Sequence, residues 1–279
     1  MTPRKFSLIA VLSFVLSGLF FVFGARAESQ NFSSKKSKVS EAIHLEKPME
    51  HPRVGEKLVF AVSWMGIPVG FGSLEVKEKV LIHGREAYHV IALAGTNDFL
   101  SSLYPLRDEI HSFFDAEDFR SLEFRKTLKE GRYRADEKIV FDHAVQKGTY
   151  ESFVNKGKKE IEISEGAKDI VSAFYWFRSQ SVAVGDKVST LINSEEKDWQ
   201  AEFRVLKAET KTFRNRGTVP TILVEPDTRL KGILYDRGRA WVNFSADKKR
   251  TPVWITLKTP FGPVVGVLES PKKWDESGG

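Results

Sequence analysis

The six histidines, His44, His51, His83, His89, His111 and His143, are the first candidates for chemistry, and none stands in HExxH or another close metal-ligand spacing. Glu109 and His111 are two residues apart. On a strand they point from one face as a carboxylate–histidine pair, which is also the alternating charge that a solvent-facing strand carries. The chain has no GxSxG elbow and no phosphate-cradling P-loop. With no cysteine anywhere, thiolate nucleophiles, thiolate metal sites, a lipid-modified cysteine and disulfides are all excluded. Asp and Glu are too plentiful for closeness in sequence to single out a general acid and base. The sequence therefore predicts no catalytic residue, no metal ligand and no cofactor.

A second constellation is Tyr104, Arg107 and Asp108, in and beside an apolar loop from Gly95 to Pro105, together with Arg178 at the end of the segment DIVSAFYWFRSQ, residues 169–180. A loop with this much apolar surface usually covers something. If it packs over 169–180, Arg178 sits near Asp98 or Asp108 at the rim of an apolar hollow, where the pair fixes a lid or receives an anionic headgroup. The same residues also suit a structural salt bridge, or a cation favoured at a helix C-terminus. Trp64, Phe71, Phe174 and Trp176, like Trp241 and Trp254, are core aromatics or the lining of a cavity. The expected ligand site is Trp64, Phe71, Tyr104, Arg107, Asp108, Phe174, Trp176 and Arg178.

The elements that would position these residues are mostly strands. Leu58, Phe60, Val62 and Trp64 alternate on one face, and Met65-Gly66-Ile67-Pro68 turns the chain into a second strand, Val69 to Val80. Gly66, Gly70 and Gly72 at this turn predict a bulge or a close backbone approach. Further strands are expected at 87–94, 107–114, 122–128, 133–141 and 148–154, then at 187–192, 199–207, 218–224, 238–244, 253–258 and 264–268. Asn215-Arg216-Gly217 and Pro260-Phe261-Gly262-Pro263 supply turns. Between the two series, Asp169 caps a helix with no polar face, although Phe174 to Phe177 would also suit a short buried strand. A dozen strands exceed what an open twisted sheet holds flat. The expected fold is mainly β: a large curled antiparallel sheet, as a half-barrel, an open barrel or two packed sheets, with one central buried helix.

Arg4 and Lys5 precede an uncharged run from Phe6 to Phe23, and Ala25 and Ala27 form an A-x-A cleavage site. Residues 1–27 read as a signal peptide cleaved after Ala27; the run is also nearly long enough to remain as an anchor. Residues 28–53 read as a flexible tether, 54–270 as a single β-rich domain and 271–279 as a C-terminal tail. The expected location is the periplasm or the extracellular space, with no stable membrane span after cleavage. The formal charge of +6 includes Arg4, Lys5 and Arg26, which leave with the leader. The remaining excess is dispersed apart from Lys35, Lys36 and Lys38 and the Lys272-Lys273 pair, so no nucleic-acid partner is expected.

Four stretches, GEKLVFAVSWMGIPVGFGSLEV at 55–76, DFLSSLYPLRDEIHSFFD at 98–115, DIVSAFYWFR at 169–178 and KRTPVWITLKTPFGPVVGVLES at 249–270, resemble the bacterial envelope family called domain of unknown function 3108. The resemblance implies an exported, largely β domain and transfers no catalytic residue. The expected function is a non-catalytic envelope protein binding a lipid, a lipidated protein or an envelope polymer in its curled sheet. The other reading is an envelope assembly module that holds a protein partner through its sheet edges.

Overall fold

The computed structural model describes residues 43–194, 197–213, 217–230, 233–234, 239–259 and 262–269. The leader at 1–27, residues 28–42 with Lys35, Lys36 and Lys38, the turn residues Asn215, Arg216, Pro260 and Phe261, and the tail at 271–279 lie outside the described residues.

Two-residue alternation builds a long antiparallel sheet. β1 (Lys57–Trp64) and β2 (Ile67–Ile82) are joined by Met65 and Gly66, both at positive φ as a tight type I′ hairpin requires. The chain continues through β3 (Arg85–Thr96), the single-turn helix α1 (Asp98–Ser101), β4 (Arg107–Asp115), β5 (Ser121–Glu130), β6 (Tyr133–Asp142), β7 (Lys147–Ser152) and β8 (Gly157–Glu162). The second half carries α2 (Ile170–Ser179), β9 (Lys187–Ser194), β10 (Lys197–Phe213), β11 (Gly217–Leu230), β12 (Ile233–Leu234), β13 (Arg239–Ser245), β14 (Pro252–Thr259) and β15 (Gly262–Leu268).

Among the described residues, fifteen strands form one sheet, in the order β8-β7-β6-β5-β4-β3-β2-β1-β15-β14-β13-β11-β10-β9, with β12 paired to β11 off this path. Of the expected forms, the single curled sheet holds and two packed sheets do not. Bulges at Val62/Ser63, Val76/Glu78, Val205/Lys207 and Asn243/Phe244 bend the strands so that the inner face becomes concave. The two edge strands, β8 and β9, are consecutive in the chain, so the segment between them must cross from one edge to the other. It does so with hydrogen bonds to both sides: the Ser121 amide donates to the Ala167 carbonyl, the Ile163 amide to Gln146, and the Lys168 amide to Leu191 on β9.

α2 lies in the concavity as the expected central helix. Val171 and Tyr175 pack with Leu74, Val76, Val90, Ile110 and Phe114 from β2 to β4. Ala173 and Phe177 pack with Phe203, Ile222, Val224 and Phe244 from β10 to β13. A helix enclosed on both flanks tolerates no polar face, which accounts for its sequence. Among the described residues no helix is long and apolar enough to cross a membrane.

Three expectations are corrected. Residues 43–53 are not a free tether: the Glu46 amide donates to the Ala246 carbonyl at 3.1 Å, the Met49 amide to Lys248 at 2.9 Å, and Leu45 packs on the Phe203–Phe244 cluster. This strap pairs with an irregular turn, so it shows no strand period. The 95–105 loop does not cover α2. It folds as α1 capped by Asn97, seats Leu100 on a cluster of Val62, Val69, Leu106 and Val264 to which α2 contributes nothing, and leaves Phe99 and Leu103 76% and 71% exposed. Finally, β8 was not expected, because GKKEIE carries charge in place of alternation, and β10 runs past Lys207 because the bulge there resets the pattern.

Candidate functional site

Both ends of α2 are anchored by buried polar groups. At the N-terminus, Asp169 Oδ1 accepts the amides of Val171 and Ser172 at 2.8 and 3.0 Å, the cap that its position predicts. Its Oδ2 accepts the hydroxyls of Ser112 on β4 and Ser121 on β5 at 2.7 and 2.6 Å. Burial pushes the Asp169 carboxyl up, while these four donors pull it down. At the other end Arg178 meets Glu56, ahead of β1, through Nη1–Oε1 at 2.6 Å and Nη2–Oε2 at 2.7 Å. The same guanidinium donates to the Lys249 carbonyl at 3.0 Å and lies over the Tyr175 ring. Burial raises the Tyr175 phenol above its ordinary range. Arg178 therefore fastens helix, strand and turn together, and the expected pairing with Asp98 or Asp108 is replaced by Glu56.

Between α2 and the sheet lies a hollow of about 100 Å³. The helix contributes Ile170, Val171 and Phe174. The opposite wall consists of Phe60 on β1, Gly72, Ser73 and Leu74 on β2, Phe203 on β10, Val224 and Pro226 on β11, Ala240, Val242 and Phe244 on β13, and Ile255 and Leu257 on β14. Ser73 carries the one side-chain hydroxyl of this lining, and no acid or base belongs to it. Ile170, Phe174, Pro226 and Ile255 are only half-buried, whereas Phe60, Val224 and Phe244 are sealed in the core. The space can hold an apolar group and can do no acid–base chemistry of its own.

Of the eight residues proposed from sequence, Phe174 alone lines this hollow. Trp176 lies on the neighbouring helix face, tilted against Phe203 at 6.2 Å, with the Lys168 ammonium over its ring. Trp64 packs beside Val62 and Leu257. Phe71 points outward, because its partner across the strands is Gly95, over which its ring lies. Tyr104 and Asp108 come together with Glu130 rather than with Arg178. Asp108 is buried, its Oδ1 accepts the Lys129 amide at 3.1 Å, and burial raises its carboxyl, as it raises the Tyr104 phenol. Arg107, one residue out of phase with Asp108, is exposed.

The Glu109–His111 pair forms at 2.8 Å and continues into His89, whose Nε2 is 2.9 Å from His111 Nδ1. Among the described residues no group of three or more His, Asp or Glu is arranged to hold a metal ion. Sequence reasoning missed Glu56 and the whole β10–β14 wall of the hollow. Alternation places these wall residues inward but does not say which of them lack a neighbour.

The chain matches the model of the family described as "Protein of unknown function (DUF3108)" over residues 59–269, and it belongs to that family. A solved structure, the beta-barrel-like protein of domain of unknown function DUF1849 from Brucella abortus, resembles it with a TM-score of 0.49 at 8% identity, covering 77% of this chain and 95% of that one. No curated protein matches the chain.

Proposed function

We propose that this member of the family is an exported, non-catalytic binding protein that takes the apolar part of an amphipathic ligand into the hollow between α2 and the sheet. The observation that carries the reading is the composition of the wall: fifteen residues from seven elements, with Ser73 as the sole polar side chain. Protein interiors are close-packed, and a void of this size costs roughly 2 kcal/mol if nothing fills it. Apolar cavities of this scale stay dry and accept apolar guests. The volume is below the usual 300–1,000 Å³ range of pockets that engulf a whole drug-sized molecule. The matching guest is therefore the end of an acyl chain or a similar group, belonging to a lipid, a lipidated protein or an envelope polymer.

The rival reading, capture of a partner by strand addition, is weakened at both edges. β8 exposes Lys158, Lys159, Glu160 and Glu162, charges of the kind that blunt an edge, and β9 is partly covered by the Lys168–Ile192 bridge. Export is proposed from the leader. N-terminal sequencing of protein released from the envelope should begin at Glu28; recovery of the full chain from the cytoplasm would contradict it. Mass spectrometry under native conditions of protein purified from its own envelope should show an apolar adduct. Protein that is invariably free of any adduct, even after incubation with envelope lipid extract, would count against binding.

A further inference from the structure

At the C-terminal end of α2 a separate recess of about 20 Å³ lies beneath the strap. Its wall includes Arg178 of the helix, Glu56, Lys249 from the β13–β14 turn, and His51 and Arg53 of the strap. Space of this size admits about one water or one oxygen atom. Four of these five side chains are basic types. The single acid, Glu56, spends both carboxylate oxygens on the terminal nitrogens of Arg178. Arg178 is only 8% exposed, and its Nε–H has no acceptor. A buried guanidinium donor left unpaired is costly and calls for an oxygen. Among the described residues neither Arg53 nor Lys249 has its side chain in an ion pair, and both are exposed at the mouth.

We infer that this recess binds an oxyanion, a phosphate or carboxylate group, held at the mouth by the Arg53 guanidinium and the Lys249 ammonium, with Arg178 adding positive charge and His51 a further basic group in the wall. Guanidinium–oxyanion hydrogen bonds are short and charge-assisted, so the Arg53 fork gives geometry as well as charge. The hydroxyl of Ser179 donates to the Trp176 carbonyl and does not compete for the ligand. This inference does not depend on the hollow, which lies along a different part of the helix.

The test is thermal unfolding and calorimetry of the mature protein with sodium phosphate against sodium chloride at matched ionic strength. Phosphate should raise the unfolding midpoint saturably beyond chloride. The Arg53→Gln/Lys249→Gln variant, altered only at exposed positions, should weaken the affinity at least about tenfold, the loss of two charge-assisted contacts. Lys248→Gln, outside the recess, should leave it unchanged. A second arm floats the protein with phosphatidylglycerol or phosphatidylcholine vesicles. Retention on phosphatidylglycerol that phosphate releases assigns the group to a lipid head; phosphate binding without retention assigns it to a soluble ion, and both sustain the site. No phosphate effect beyond chloride, or an equal effect in the double variant, would overturn it.

Discussion

Ser121 and Asp169 hold each other reciprocally: the serine hydroxyl donates to the aspartate Oδ2 at 2.6 Å and receives the aspartate amide at 2.6 Å. One side chain thus fixes the first turn of α2 to the start of β5, and Ser112 ties the same carboxylate to β4. Asp169→Ala removes the cap and strands two buried hydroxyls, so it should lower stability by about 2–4 kcal/mol. Asp169→Asn, which keeps an acceptor, should lose less. Urea unfolding of the two variants checks the order; equal losses would show that the acceptor oxygen kept by Asn contributes nothing.

At the other end of the helix, truncating either member of the Arg178–Glu56 pair leaves its partner's charge in a largely buried place. Arg178→Ala or Glu56→Ala should each cost about 3 kcal/mol. The double variant should cost clearly less than the sum, because the two share one interaction. A strictly additive double-mutant cycle by denaturant unfolding would mean that the pair is not coupled.

Burial lowers the His89 and His143 imidazoles below their ordinary value of 6.5, although Glu78 opposes this at His89 and the Ser121 carbonyl at His143. The unfolded chain therefore binds protons that the folded one refuses. Their contribution is complete above pH 6.5 and is lost as the pH falls from there toward the folded values. Unfolding midpoints should fall between about pH 7 and pH 5. The fall should be shallower in His143→Gln, and an unchanged slope would remove His143 from the account.

The hairpin glycines make a steric prediction. A Cβ at Gly70 would stand 2.0 Å from the Gly95 carbonyl oxygen on β3, which is backbone and cannot swing aside. Gly70→Ala should destabilise by about 1–3 kcal/mol, as overpacking does. Gly157→Ala, where nothing lies within 4 Å, serves as the control in the same thermal melt.

These relationships divide by how much of them a linear pattern can carry. α2 was readable because a cap residue and an unbroken apolar circumference are local, and most strands were readable from alternation. Glu56 was not, because it lies 122 residues from Arg178 and is one acid among 37. The wall from Phe203 to Leu257 was hidden for another reason: inward orientation follows from alternation, but a vacancy beside Ala240 depends on how far the bulges curl the sheet. Phe71 misled because an aromatic in a strand has equal claim to either face, and only the register opposite Gly95 puts it outside. The strap had no period because its partners are turn carbonyls.

The central claim is most directly tested by titrating a fluorescent fatty-acid probe into the mature protein and into Ala240→Phe, whose ring would occupy the hollow that Ala240 lines. The account predicts saturable binding to the wild type, loss of at least tenfold in affinity in the variant, about 1.4 kcal/mol, and an unfolding midpoint in the variant that is no lower. Absence of probe binding to the wild type, or equal binding to a folded Ala240→Phe, would contradict it.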